Sequence, residues 1–269
     1  MIPIVITSRD NSLLRQARGV RDGKIPELIF IEGLRLCEEA LRSGLSIEVV
    51  IYSEEIAQKE RAKRLLTDLA AVSERLASVS EKLLATISYT KTPQGIVALA
   101  RRPNSGPEEL AVKSLEAPLL VIVHGINNPA NVGAILRSAE AAGLAGAIVT
   151  ESTADPFSAR ALRGAMGSAF RLPIWAGASY AEALTWCAES DIKTVCTDVG
   201  AVTSYTEIDW KNSKALIVGP EASGLTREEV AAADEAIKIP MHGKVESLNV
   251  AVATGIVLYE AARQRGERE

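Results

Sequence analysis

The 269-residue sequence has only three cysteines, two histidines and 4% aromatic residues. The cysteines, Cys37, Cys187 and Cys196, are odd in number and lack metal-ligand spacing. That excludes a disulfide framework and a cysteine-based zinc site, and it fits a reducing compartment. His124 and His242 lie far apart, neither in an H-E-x-x-H pattern, so no metal is expected. With so few aromatic rings, the core must be filled by Leu, Val, Ile and Ala; 47% hydrophobic and 24% charged residues is an ordinary globular balance. Long hydrophobic runs are missing too. The most apolar stretch, Leu248 to Ala262, is too short to span a bilayer and carries Asn249 and Glu260. The N-terminal Met1 to Ile6 has no basic flank and soon turns polar, unlike a signal peptide, so a cytoplasmic protein with no membrane partner is the expectation. Neither G-x-G-x-x-G nor G-x-x-x-x-G-K-[ST] occurs, which argues against ordinary dinucleotide binding and P-loop phosphate hydrolysis.

The net charge of -4 speaks mildly against nucleic acid, but its distribution does not. Residues 1–105 hold 16 Lys and Arg against 13 Asp and Glu, whereas residues 106–269 hold 14 against 21. Arg9, Arg15, Arg18, Arg21 and Lys24 cluster against only Asp10 and Asp22. Such a run is often just a solvated helix face, and alone it is a weak phosphate-binding signal.

The stretch from Arg101 to Glu109, with two prolines and a glycine, is the best linker. Before it, helices are expected at Ser12–Arg21, Leu34–Ser43 and Glu54–Leu69, and strands at Leu28–Glu32, Ile47–Tyr52 and Gly95–Ala100. After it the alternation is clearer. Leu119–Val123 is continuously apolar, as in a buried parallel sheet. Further strands are expected at Ala147–Thr150, Leu172–Trp175, Lys193–Thr197, Ala215–Val218 and Ile237–Ile239. Asn131 is expected to cap a helix ending near Gly143, and helices are expected at Ser158–Gly167 and Tyr180–Glu189. Thr226 to Glu229 fits a capping box, and Ser247 is expected to cap the final helix. That helix is apolar nearly all round, so it must be covered within the domain or by a second subunit.

Polar residues crowd the ends of three apolar strands, where open α/β sheets bind ligands. The first group runs from Asn127 to Arg137, with Gly133 and Arg137 four apart on one helix face. Its simpler reading is a surface pair of Arg137 with Glu140. The second, Gly219 to Leu225, has two glycines and one acid, Glu221, after a strand. The third joins Ile239-Pro240-Met241 to Ser247-Leu248-Asn249. An amide such as Asn249 next to apolar residues needs partners in a loop or a ligand.

Together, Asn131-x-Gly133-x-x-x-Arg137, Gly219-Pro-Glu221-x-x-Gly224 and Ile239-Pro-Met241 with Ser247-Leu-Asn249 resemble the three motifs of the SpoU (TrmH) family of RNA ribose methyltransferases, across roughly residues 117–262. The segment Arg163 to Phe170 also resembles the family. Ile31 to Arg35 and Thr92 to Ile96 are similar to the family's substrate-binding domain, which resembles ribosomal protein L30e. The resemblance implies an α/β chain with an L30e-like domain at residues 1–103, followed at 112–269 by a parallel-sheet methyltransferase domain with a deep trefoil knot. It further implies S-adenosylmethionine as cofactor, a homodimer through the second domain and RNA as partner. Ribosomal RNA is favoured over transfer RNA by the type of N-terminal domain. His124 and Asn128 stand where relatives often have acids, and Ala222 where glycine is frequent.

On the same resemblance Arg137 is the central catalytic residue, with Asn131, Glu221, Ser247 and Asn249 around it. A guanidinium does not normally accept a proton, so the physical reading gives Arg137 the RNA phosphate and a lowered hydroxyl pKa. Gly219, Ile239, Met241 and Leu248, with Thr197 a weaker candidate, match cofactor positions. Arg9, Arg15, Arg18, Arg21 and Arg35 are assigned to RNA. A non-catalytic RNA-binding protein and an enzyme for a small nucleotide-like substrate remain alternatives.

Overall fold

The computed structural model describes residues 2–110 and 112–266; Met1 and 267–269, at the outer ends of the two expected domains, lie outside them. In chain order the elements are β1 (Ile4–Ile6), α1 (Ser12–Arg21), β2 (Leu28–Glu32), α2 (Leu34–Arg42), β3 (Ile47–Ser53), α3 (Glu60–Val72), β4 (Arg75–Val79), α4 (Glu81–Ile87) and β5 (Ile96–Arg101). Then follow β6 (Leu119–Val123), α5 (Pro129–Ala141), β7 (Gly146–Thr150), α6 (Ala159–Ala165), α7 (Ser168–Arg171), β8 (Ile174–Ala178) and α8 (Tyr180–Glu189). The chain ends with β9 (Lys193–Thr197), β10 (Thr203–Ser204), β11 (Lys214–Val218), α9 (Arg227–Ala232), β12 (Glu235–Lys238) and α10 (Val250–Gly266).

Two compact units result. The first comprises the chain up to Pro103 together with Phe157–Phe170; the second comprises Asn104–Pro156 and the chain from Arg171 on. In the first, the strand order is β1-β4-β3-β5-β2. β4 runs parallel to β1 and β3, while β5 is antiparallel to β3 and β2. Asn11 caps α1, accepting the Leu13 N–H at 2.9 Å, and the helix buries Leu13, Leu14, Ala17 and Val20 at the 3.6-residue period. These meet Phe30, Ile51, Leu84 and Leu99 in one core, which Ala159 of α6 joins.

The second unit holds a seven-stranded, all-parallel sheet in the order β10-β12-β9-β11-β6-β7-β8. β6, β7 and β11 are buried over their whole length, as their apolar runs require. Cys187 and Cys196 sit in this core, where burial pushes their thiols up to about 12 and about 11; Cys37 is likewise buried in the first unit, so all three act as small apolar side chains.

Several expectations need correction. Asn131 does not cap α5. Asn128 does, accepting the Ala130 N–H at 3.1 Å, because Pro129 has no N–H to satisfy and suits the first helical position. Asn249, not Ser247, caps α10: its Oδ1 accepts the N–H groups of Ala251 and Val252 at 3.0 and 3.3 Å. Asn249 is accordingly exposed and outside the helix. The expected helix Glu54–Leu69 is a single 3-10 turn, Ile56–Gln58, and then α3. The strand expected at Leu172 starts only after Pro173. The Thr226–Glu229 capping box is present in both its halves.

The last turn of α10 is anchored by Arg265. Its guanidinium donates to the carbonyls of Trp210 (2.6 Å), Ala117 (2.7 Å) and Asn212 (2.7 Å), closing the C-terminus over the start of β6 and β11. Arg265→Ala should destabilise the second unit by about 2 kcal/mol, the order of a charge-assisted hydrogen-bond set losing its donor. Urea unfolding followed by tryptophan fluorescence reads this, since Trp175, Trp186 and the fully buried Trp210 all lie in that unit. An unchanged midpoint would remove Arg265 from the account.

Candidate active site

The site is built by strand register. β11 pairs Val218 with Val123 of β6, and β9 pairs Cys196 with Ile217 of β11 and Thr197 with Ile237 of β12. Four parallel strands therefore end side by side, and the segments that leave them carry the three polar groups. The Thr197 hydroxyl stays inside this edge, donating to the Ile217 carbonyl at 3.4 Å.

Helices α5 and α10 pack together, with Gly255 of α10 facing Ser138 of α5. Their N-termini bring together residues far apart in sequence. Asn131 Nδ2 donates to Glu221 Oε1 at 2.7 Å, and Asn249 Nδ2 donates to Asn131 Oδ1 at 3.3 Å. Asn131 thus uses both ends of its amide, and being the third residue of α5 rather than its cap leaves that amide available. Glu221 is held by its loop. A Cβ on Gly219 would lie 2.8 Å from Leu225, and one on Gly125 would lie 2.8 Å from Pro220. A larger residue at either position would force Leu225 or Pro220 to shift. Gly125 and Gly224 also have positive φ, +64° and +65°.

Arg137 is exposed on α5, two turns from Asn131, with no ion-pair or hydrogen-bond partner among the described residues. The surface pair with Glu140 does not form. Glu140 is taken by Arg171, whose Nη2 donates to it at 2.9 Å. A guanidinium left free beside ordered carboxamides can meet an anion. Of the remaining expected residues, Ser247 is exposed, while Ile239, Met241 and Leu248 are half-buried.

Sequence reasoning missed a second polar group at the end of β6. The backbone N–H of His124 extends the β6–β11 pairing by donating to Val218. Its ring meets Thr150 Oγ1 at 3.1 Å and Glu229 Oε1 at 3.0 Å and lies 4.6 Å from the Tyr180 ring, whose hydroxyl donates to the Glu229 carbonyl at 2.9 Å. Burial works to raise the Glu229 carboxyl, but the Thr226 N–H and the His124 ring outweigh it, leaving its pKa lowered. The capping box was the only sequence signal for Glu229, and capping alone did not point to His124.

The residues present suit a cofactor held by main-chain groups. From Pro240 to Leu248 no backbone N–H or carbonyl has a hydrogen-bond partner among the described residues. These main-chain donors and acceptors, beside half-buried Ile239, Met241 and Leu248, are available to a ligand. Among the described residues no group of His, Cys, Asp and Glu is arranged to hold a metal ion.

An all-parallel α/β unit with three polar loops at the carboxyl edge of its sheet defines a nucleotide-type ligand site. Residues 118–259 match the model of the SpoU rRNA Methylase family and residues 16–98 that of the MRM3-like substrate binding domain. The chain belongs to the SpoU rRNA methylase family. It is 32% identical over 246 residues to a Burkholderia 23S rRNA (guanosine-2'-O-)-methyltransferase, RlmB, covering 91% of this chain and 100% of the relative. It is 33% identical to the Bacillus subtilis 23S rRNA (guanosine(2553)-2'-O)-methyltransferase RlmP, covering 86% of each. Among solved structures, the AdoMet-bound rRNA methyltransferase from Sinorhizobium meliloti superposes with a TM-score of 0.84 at 30% identity, over 96% of this chain and 97% of that one.

Because Asn131 and Glu221 share a hydrogen bond, Asn131→Ala and Glu221→Ala should be non-additive. A double-mutant cycle on thermal stability should give a coupling of at least about 0.5 kcal/mol. Additivity within about 0.3 kcal/mol would show that the two side chains do not interact.

Proposed function

We propose that the protein transfers a methyl group from S-adenosylmethionine to a ribose 2'-hydroxyl of RNA, with a guanosine of 23S ribosomal RNA as substrate. The observation that carries this is the hydrogen-bonded series Asn249–Asn131–Glu221 with the unpaired Arg137 on the same helix, in a chain of this family. The names of the relatives from Burkholderia and Bacillus subtilis supply the ribosomal substrate. On this reading residues 1–103 form the RNA-binding domain and 112–269 the methyltransferase domain, whose cofactor loops form the trefoil knot that the family implies.

S-adenosylmethionine, when bound, supplies an electrophilic methyl group on a sulfonium sulfur. Gly219, Ile239, Met241 and Leu248 hold it through backbone groups and apolar contact, with Thr197 at the neighbouring strand end. Arg137 binds the RNA phosphate next to the target ribose, and its fixed positive charge lowers the pKa of the hydroxyl that must lose its proton. Asn131, fixed at both ends, positions the ribose, and Asn249 and Ser247 order the nucleotide from the start of α10. Glu221 orients Asn131 and, through it, the ribose. The chemistry needed from the protein is mostly orientation, which rigid helix termini provide.

The second unit is also proposed to form the homodimer. Val252 and Tyr259 stand seven residues apart on α10, 53% and 57% exposed, on the side away from the packed Val257, Leu258 and Ala261. Tyr259→Glu should shift the protein towards monomer in sedimentation velocity; an unchanged sedimentation coefficient would move the interface elsewhere.

Transfer of label from methyl-labelled S-adenosylmethionine to unmodified 23S rRNA, with transfer RNA in parallel, tests the activity. Arg137→Ala should lower the rate by at least about a hundredfold, as removal of a charge-stabilising donor does. Equal labelling by wild type and variant would sink the role of Arg137, and labelling of transfer RNA alone would replace the substrate.

A further inference from the structure

The second unit holds a polar cluster that the proposed chemistry leaves unused: His124, Thr150, Tyr180 and Glu229. We infer that His124 is a positioning residue for methyl transfer, holding both ends of the loop 219–225 and so fixing where Glu221 stands. The inference rests on the methyltransferase reading and adds a residue to it.

The loop needs such a hold. It starts where β11 ends at Val218 and finishes at Thr226, the cap of α9. Glu221, Ala222, Ser223 and Gly224 are all exposed. The Gly224 N–H donates to the Pro220 carbonyl at 3.0 Å, a bond internal to the loop that ties it to neither sheet nor helix. At the far end α9 is a six-residue helix with no buried residue. Leu225 and Val230 pack against the core only as half-buried side chains. A helix that short is not held by its own hydrogen bonds, so its place depends on side chains that reach it from elsewhere.

His124 reaches both ends. Its backbone N–H donates to the Val218 carbonyl at 2.9 Å, at the start of the loop. Its ring Nε2 stands 3.0 Å from Glu229 Oε1, just beyond the loop's end. The second carboxylate oxygen of Glu229 accepts the Thr226 N–H at 2.7 Å, so one carboxylate joins the imidazole to the residue that closes the loop. Tyr180 adds a further tie, its hydroxyl donating to the Glu229 carbonyl at 2.9 Å while its ring lies 4.6 Å from the imidazole. Between these ties the loop carries Glu221 to Asn131, whose Nδ2 donates to it at 2.7 Å. Neither His124 nor Glu229 bonds to Asn131, Glu221 or Asn249, so their influence on the reaction runs through the loop.

The imidazole is itself held. Its Nδ1 is 3.1 Å from Oγ1 of the buried Thr150, a hydroxyl that also lies 3.4 Å from the Val123 carbonyl. A neutral ring that accepts from Thr150 at Nδ1 presents Nε2–H to Glu229. A protonated ring presents the same Nε2–H while Thr150 turns its proton to Val123. The tie to Glu229 thus survives in both states of the ring. The two side chains are only 12% and 25% exposed, and a hydrogen bond largely out of water is stronger than one on the surface.

Two variants of the full chain separate the tie from mere filling of space. His124→Gln carries an amide N–H as many bonds from the backbone as Nε2 and can still reach Glu229. The amide of His124→Asn ends at the level of Nδ1, where it can meet Thr150 but not Glu229. Both keep the backbone bond to Val218. With methyl-labelled S-adenosylmethionine and unmodified 23S rRNA, His124→Asn should lower kcat by about tenfold, within the range that a small misplacement of a positioned group costs. KM for the cofactor should be unchanged, and His124→Gln should stay close to wild type. Adding His124→Asn to Glu221→Ala should cause no loss beyond that of Glu221→Ala alone, because the histidine acts through that carboxylate. Amide hydrogen exchange over 219–232 should be faster in His124→Asn than in wild type or His124→Gln, with β6 and β11 unaltered. If His124→Asn fails to fold, Glu229→Ala, which keeps the bond from the backbone N–H of residue 229 to the Thr226 hydroxyl, is read in the same way. Unchanged kcat and exchange in His124→Asn, with wild type methylating that RNA, would overturn the positioning role and leave the methyltransferase reading intact. Losses that multiply in the double variant would do the same. Wild type that methylates no RNA would overturn both.

Discussion

Parallel pairing in the second sheet is the constraint on which the site depends. When every strand runs the same way, every segment leaving a strand leaves at the same edge, whatever its place in the chain. The order β12-β9-β11-β6 then makes neighbours of strands far apart in the chain: Leu119 of β6 pairs with Lys214 of β11, 95 positions on. An antiparallel sheet of the same strands would have put half of these segments at the opposite edge. The continuous burial of β6 and β11 locks the register, since polar residues of a slipped strand would enter the core.

Helix ends finish what the strands begin. α5 and α10 both start at this edge, and each has an asparagine assigned to its backbone: Asn128 for α5 and Asn249 for α10. Asn249 does two jobs, since its oxygen caps while its nitrogen reaches Asn131. Asn131 is spared capping by Asn128, and so its amide is free to join Glu221 and Asn249. The group is a consequence of capping chemistry as much as of the reaction it serves.

What was legible in the sequence followed from strong local signals. Leu119–Val123 announced a buried parallel strand, and the Thr226–Glu229 box announced a helix start. The three motifs, read together, pointed to residues that the fold does gather: Asn131, Glu221 and Asn249. Local signals failed where two residues competed for one role. Asn128 and Asn131 are both good caps, and only the proline between them decides; Ser247 and Asn249 posed the same choice. β4 and α4 escaped because Arg75–Val79 is short and contains Ala and Ser, so its strand character comes from pairing with β1 and β3. Nothing local indicated that α6 would pack on the core of the first unit, or that His124 would find Glu229, more than a hundred positions away. Those are tertiary choices.

The first unit shows how a buried charge can serve specificity of structure. Removing a carboxylate from water costs several kcal/mol unless hydrogen bonds replace the lost hydration. Glu32 meets that requirement by recruiting Ser88, Tyr89 and Thr90, residues with no regular secondary structure of their own. An apolar residue at position 32 would remove that cost, but it would also leave the loop without its donors' acceptor. The loop leads directly to Pro93, Gln94 and Gly95, and Glu32 itself is followed by Gly33 at the head of α2; these residues line the two sides of one recess in the first unit. One buried side chain thus fixes both sides of the recess, in the same way that strand direction fixes the edge of the second sheet. In each unit the positions of the exposed polar groups are set from inside, by a constraint that the core imposes.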